Sequence, residues 1–352
     1  MLYIIIAILM FGILIALHEF GHFITAKLLG VRVNEFAIGM GPLLFSTQKG
    51  ETQYSLRAIP MGGFCAMEGE DDASDDPRAF SNKPAWRKFI ILVAGSFMNF
   101  LTGFVLLALL LAQNTFFVVP VIDTLMEGFP YESAQGLLPG DRIVRVNGER
   151  IYTKSDLDLF FGRDEDGIMD LVIERDGVRL ERPGFDLRPR EYTYEGETVQ
   201  MRGLICVREP FHVGNWLRQS WYNTIDMVRM VRLSLVDLFS GRAGIQDMSG
   251  PIGIVTMMSD VGAQSPNMVA ALANILWFVA FIAINLAVMN LLPIPALDGG
   301  RIFFLAVNGL FSLLTRRKLD PKYEGYVNMA GFCCLILLMV VVAFNDIVKL
   351  FA

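Results

Sequence analysis

The sequence predicts a polytopic α-helical membrane protein of about four transmembrane helices, with one soluble domain inserted between the second and third. Three observations carry this expectation. Of 352 residues, 53% are hydrophobic and only 19% charged, with a mean hydropathy of +0.46, too apolar for a soluble globular chain. Apolar runs long enough to span a bilayer occupy residues 2–28, 89–112, 269–292 and 327–350. From about Asn114 to Arg208 charge rises and short strand-like stretches are punctuated by glycine and proline, marking a separate domain of ordinary size. The expected divisions are 1–113 (two spans with β structure between them), 114–208 (the soluble domain), 209–262 (a helix and connecting loop) and 263–352 (two further spans).

The first run is too long for a signal-peptide core and is followed by no convincing cleavage site, so it is expected to remain as a span. Inside it stand His18, Glu19, Phe20, Gly21 and His22. Ionisable groups in a span are costly and mark function. On a helix, His18 and His22 share one face, so both can ligate one zinc ion while Glu19 reaches its bound water. The chain has only three histidines. The third, His212, sits in an extramembrane stretch and reads as a surface or loop residue.

Residues 33–67 alternate apolar stretches with turn signals at Gly39-Met40-Gly41-Pro42, Lys49-Gly50 and Met61-Gly62-Gly63, which predicts short strands rather than helix. Span two carries Gly95-Ser96-Phe97-Met98-Asn99. Asn99 and Asn290, with Asn285, either hydrogen-bond a substrate strand or the oxyanion near the metal, or tie spans together. Residues 216–240 place Trp216, Leu217, Trp221, Ile225, Val228, Val231, Leu235 and Phe239 at near-helical spacing among charges, too charged to span. They predict an amphipathic helix, lying on the outer membrane face or packed under the soluble domain. A loop, Ser249 to Ile254, leads back to the membrane.

Lysine and arginine near the membrane ends set orientation. Lys27 and Arg32, then Lys83, Arg87 and Lys88, then Arg316, Arg317, Lys318 and Lys322 put the connections after span one and span three in the cytoplasm. The soluble domain and both termini then face outward. At 1.5 Å per residue His18 lies roughly 25 Å from the outer end of span one, in its cytoplasmic half. Span three descends to the same depth and ends in Asn290-Leu291-Leu292-Pro293-Ile294-Pro295-Ala296-Leu297-Asp298-Gly299-Gly300. Its prolines make the segment extended, its glycines allow a tight turn, and Asp298 arrives near the histidines. Asp298 is therefore either the third ligand or a cap for a helix beginning at about Arg301. Two imidazoles, one carboxylate and an open position would make a catalytic zinc site.

Both motifs together resemble the site-2 protease family of intramembrane zinc metalloproteases, and its bacterial RseP-type members in particular. The resemblance covers nearly the whole chain. It implies His18, His22 and Asp298 as zinc ligands and Glu19 as general base. It also implies a membrane-re-entrant β-hairpin over residues 33–67, although an ordinary cytoplasmic hairpin fits the same pattern. Residues 132–148, Glu132-Ser133-Ala134-Gln135-Gly136-Leu137-Leu138-Pro139-Gly140-Asp141-Arg142-Ile143 and onward to Asn147-Gly148, look like a PDZ domain, making the insert PDZ-like and α/β. Such a domain either binds the C-terminus left by a prior cut or excludes substrates with bulky outer parts.

The function implied is zinc-dependent hydrolysis of peptide bonds within transmembrane segments of single-pass proteins, such as anti-sigma factors or remnant signal peptides, usually after cleavage by another protease. A bacterial inner-membrane location, in contact with membrane lipid, fits. The competing readings are an inactive PDZ-bearing substrate binder and a zinc carrier. Intact Glu19 argues against the first, and polar intramembrane residues gathered at one depth against the second. A net charge of −6 with no basic stripe gives no support to nucleic-acid binding. The four cysteines, with Cys65 expected in a loop, form no C-x-x-C pair and suggest neither a thiolate site nor a disulfide framework.

Overall fold

A computed structural model describes residues 2–70, 74–194, 196–316 and 321–351. Arg317 and Lys318, used in the charge argument, lie outside them. The chain divides into two compact units, Met1–Leu106 with Met227–Ala352, and Leu107–Asp226.

In the first unit, helix α1 (Leu2–Leu28) is stopped by Gly30 at φ +72°. The Val31 N–H bonds the Ala26 carbonyl and the Gly30 N–H that of Lys27, a Schellman closure that satisfies two terminal acceptors. Strands β1 (Val33–Lys49) and β2 (Thr52–Met67) follow. They are two long, bent strands rather than several short ones. Glu35, Phe36, Ala37 and Ile38 each have two partners, one set at Gln53–Leu56 and another at Gly63–Ala66, because β2 doubles back across β1. The start of β1 is thus covered on both sides, and residues 63–67 form an outer limb whose other edge pairs with no strand among the described residues. Cys65, expected in a loop, is buried in this limb and packs with Ala26, Val33, Met67 and Ile91.

Helix α2 (Ala85–Leu111) passes so close to α1 that a Cβ on Gly21 would lie 2.4 Å from the Ala94 carbonyl oxygen. The first half of the chain reaches the second unit at the end of α2; α4 (Val213–Phe239) returns from it. Of the stretch 249–254, expected as a loop, only Ser249 and Gly250 stay outside helix; residues 251–254 open helix α5 (Pro251–Gln264). Proline at its first turn needs no donor. Asp346, on the last helix, accepts from the Gly250 N–H at 3.0 Å and the Gly253 N–H at 2.9 Å. A carboxylate from another helix thus does the work of a cap.

Helix α6 (Met268–Asn290) starts on Asn267, whose side chain accepts from the Ala270 N–H. Helix α7 (Asp298–Thr315) begins three residues earlier than expected, with Asp298 in its first turn and Leu297 as the cap position. Helix α8 (Pro321–Phe351) ends the described chain. Among the described residues four helices, α1, α2, α6 and α8, are long and apolar enough to cross a membrane.

The second unit is built on a sheet of β3 (Phe116–Leu125), β4 (Arg142–Val146), β5 (Glu149–Arg150), β6 (Ile168–Arg175), β7 (Val178–Asp186) and β10 (Leu204–Pro210), in the order β10-β3-β4-β6-β7 with β5 on β4. A separate pair, β8 (Arg190–Tyr194) and β9 (Glu197–Met201), stands beside it in the sequence. Helix α3 (Lys154–Arg163) opens with a capping box in which the Thr153 hydroxyl accepts from Asp156 N–H while Asp156 accepts from Thr153 N–H. Asp141 is fully buried and takes a two-pronged bond from Arg175 at 2.6 and 2.7 Å. The same guanidinium bonds the carbonyls of Ala134 and Gly136, so one ion pair fixes the loop before β4. His212 is exposed in the loop before α4, as expected, and also caps that helix. Its Nδ1 accepts from Asn215 N–H and its own N–H donates to Asn215, closing the first turn of α4.

Candidate metal centre

Helical spacing brings His18 and His22 to one face of α1, and the turn between α6 and α7 delivers Asp298 to them. The two Nε2 atoms are 3.1 Å apart. Asp298 Oδ2 lies 3.2 Å from the first and 3.3 Å from the second. A tetrahedral zinc ion with bonds of about 2.0–2.2 Å places its ligands about 3.3–3.5 Å apart, so the triangle has the size such an ion requires. The donor set of two nitrogens and one carboxylate oxygen suits zinc. Both histidines are buried, and Asp298 Oδ2 is buried without a hydrogen-bond partner. Three electron-rich atoms converging in a low-dielectric site are mutually repulsive unless a cation or shared proton lies among them. Among the described residues this is the one cluster of such side chains able to hold a metal.

The surrounding chain shapes the triangle. His22 Nδ1 donates to the Ile91 carbonyl at 2.8 Å, so the neutral ring turns its Nε2 lone pair inward. A Cβ at Gly95 would sit 2.3 Å from His22 Nε2 and 2.7 Å from His18 Cε1, so α2 can back both rings only because residue 95 has no side chain. Gly299 and Gly300 serve the same end by close approach rather than by a turn of unusual dihedral. Their hypothetical Cβ atoms fall 2.1 Å from the Leu292 and 2.4 Å from the Ile294 carbonyl oxygens. Ala296 holds φ +73°, a conformation costly for a residue with a Cβ, and its N–H donates to Asn328 on α8.

Glu19 is half-buried, with His22, His18, Asp298 and Glu70 as its ionisable neighbours. A Cβ on Gly63, in the outer limb of β2, would lie 3.6 Å from its Cγ. The site therefore borders an unpaired strand edge. Arg301, in the first turn of α7, ion-pairs with Glu70 just beyond that limb.

The three asparagines separate. Asn99 is buried with its amide nitrogen 3.3 Å from His18 Nδ1. Asn285 and Asn290 are half-buried on α6 and join no side-chain hydrogen bond among the described residues. Sequence reading reached the three convergent side chains but not the Ile91 carbonyl, which leaves no mark on residue type, nor Asn328, which lies far away in sequence.

A His–His–Asp triangle with an adjacent glutamate, its histidines buried on a helix apolar enough to span, is the site of a membrane zinc metalloprotease. The model of peptidase family M50 matches residues 6–338, and the chain belongs to that family, the site-2 proteases. A protein of Clostridium acetobutylicum is 36% identical over 98% of this chain and 97% of its own length. The regulator of sigma-W protease RasP of Bacillus subtilis is 28% identical, with 98% of each chain covered. The zinc metalloprotease RasP of Bacillus licheniformis is 29% identical, again over 98% of each. The protein is thus a multi-pass zinc metalloprotease.

Proposed function

We propose that His18, His22 and Asp298 hold the zinc, that Glu19 is the general base, and that the enzyme cuts peptide bonds within the transmembrane segments of single-pass membrane proteins. The convergence of three donor atoms at 3.1–3.3 Å beside a glutamate, on a helix apolar enough to span, carries this reading. Bound there, zinc supplies Lewis acidity to the scissile carbonyl and acidifies a water. Glu19 takes the water's proton and passes it to the leaving amine. The unpaired edge of residues 63–67 holds the substrate extended by strand addition, which a helical segment must unwind to accept. Protein and a water-filled cavity must then cover this non-helical backbone at membrane depth.

The positive residues after span one and span three support a bacterial cytoplasmic membrane location with the inserted unit outside. That unit we read as PDZ-like. A cleft of about 530 Å³ runs between the start of β3 (Phe116 to Val118) and the start of α3 (Thr153 to Ser155). There β3 is paired with β10 on one side, while β4 meets it only at Val121. An extended peptide end fits such a place; the competing role is exclusion of bulky substrates. The name of the Bacillus subtilis relative, a regulator of sigma-W, supports a link to sigma-factor control; we extend it to anti-sigma substrates already shortened by another protease.

The test follows cleavage of a single-pass reporter in detergent by the wild type and Glu19→Gln, with zinc assayed in both. Cleavage inside the apolar segment by the wild type alone, with zinc in both, is expected. Stoichiometric zinc with no cleavage across a panel of reporters would favour a binder or carrier instead.

A further inference from the structure

We propose that Asn99 is a positioning residue of the metal centre: its side-chain carbonyl accepts the Nδ1 proton of His18 and so turns the Nε2 lone pair of that ring toward the metal. This rests on the assignment of the metal centre above.

A backbone carbonyl only accepts, so the 2.8 Å contact of His22 Nδ1 with Ile91 settles the tautomer of that ring. His18 needs the same tautomer to offer Nε2, and hence an acceptor at its Nδ1. The side chain facing that atom is Asn99, at 3.3 Å. With the amide nitrogen turned to the ring, Nδ1 would be an acceptor and the proton would fall on Nε2. There it would stand between His22 Nε2 and Asp298 Oδ2, where the metal must bind. That orientation also leaves Asn99 Oδ1 buried without a partner. The two ends of an amide have the same shape, and a half-turn exchanges them. The half-turn gives Oδ1 the Nδ1 proton to accept. It leaves an N–H available to the Ser96 hydroxyl, three residues earlier on α2 and likewise buried without a partner.

Ile91, Gly95 and Asn99 stand at intervals of four on α2, one face over two turns. A carbonyl, a gap and an amide on that face thus orient both rings that α1 supplies. The arrangement makes Asn99 part of the metal's support rather than a contact for substrate.

The experiment measures zinc affinity by chelator competition on the purified full chain. Asn99→Leu is expected to bind zinc about 10–100-fold more weakly than wild type, the usual loss when such a partner is removed. Asn99→Asp, which keeps an acceptor of the same size, is expected to stay within about threefold of wild type or to bind more tightly. Unchanged affinity in Asn99→Leu with only a raised KM would overturn the proposal and make Asn99 a substrate contact. Equal loss in Asn99→Leu and Asn99→Asp would overturn it in favour of packing. A readout independent of any variant is the histidine ¹⁵N spectrum of the zinc-loaded wild type. A protonated Nδ1 on His18 is expected, and an unprotonated one would sink the idea. Equal zinc binding by wild type and Asp298→Ala would instead fault the ligand assignment itself.

Discussion

At the residue scale the centre depends on what is absent as much as on what is present. Two imidazoles and a carboxylate come within 3.1–3.3 Å only because α2 carries no side chain at position 95. Gly95→Ala drives a methyl into both rings, so its zinc affinity should fall well below that of the wild type in chelator titration. Unchanged affinity would show that the rings can retreat together. Ligand and base should also separate cleanly. Asp298→Ala is expected to lose zinc under conditions that keep the wild type loaded. Glu19→Gln should keep its zinc and lose at least about 10²–10⁴-fold in turnover, the span typical of a general base. The ligand triad was largely legible in the sequence, because i, i+4 spacing puts both histidines on one face and a Pro-x-Pro segment followed by Asp-Gly-Gly announces a break in a span. Asn99 was legible only as a polar residue in an apolar run. Which group it faces depends on how α1 and α2 cross.

At the scale of elements, one helix is held by a carboxylate from elsewhere in the chain and one loop by a carboxylate–guanidinium pair. Asp346 takes the Gly250 and Gly253 N–H groups at the head of α5. Removing it in Asp346→Ala strands two donors, at about 1–3 kcal/mol for an unsatisfied buried group. The expected readout is faster amide exchange at residues 250 and 253, and protection equal to wild type would show that another acceptor replaces it. In the second unit Asp141 is the buried partner of Arg175. Asp141→Ala leaves a guanidinium without its carboxylate and is expected to cost about 3–5 kcal/mol, seen as earlier melting of the sheet's exchange-protected amides. Melting unchanged within about 0.5 kcal/mol would mean that the loop carbonyls of Ala134 and Gly136 suffice. The sequence showed strands in 33–67 and a helix over 216–240, since both rest on local periodicity. It did not show β2 folding back over β1, because register is chosen by pairing between segments. Nor did it show that 251–264 is helical, since the cap arrives from a residue almost a hundred positions away.

At the scale of the whole molecule, composition and structure agree on a membrane protein. Leu337 and Phe344 of α8 are 66% and 68% exposed within the chain, so much of that helix must find its apolar cover in lipid. Retention in the membrane through an alkaline wash is expected, and release would contradict the spanning assignment. The second unit should show its own acid sensitivity. The Arg188 guanidinium and N–H, with the Tyr131 hydroxyl, hold the Asp186 carboxyl down at about 2. A carboxylate depressed on folding stabilises the native state above its unfolded value of about 3.9, and that contribution fades as pH falls toward 2. Thermal unfolding of the wild type should therefore lose stability between about pH 4 and 2, while Asp186→Asn shows a shallower slope; parallel slopes would remove Asp186 from the cause. The sequence by itself determined which helices are apolar enough to span and which two histidines and aspartate converge, because hydropathy and helical periodicity are properties of neighbouring residues. Only the tertiary structure decided which groups face the outer ring nitrogens of His22 and His18, the open edge beside Glu19 and the cap on α5. Each of these joins groups far apart in the chain, and their contacts exist only once the helices have packed.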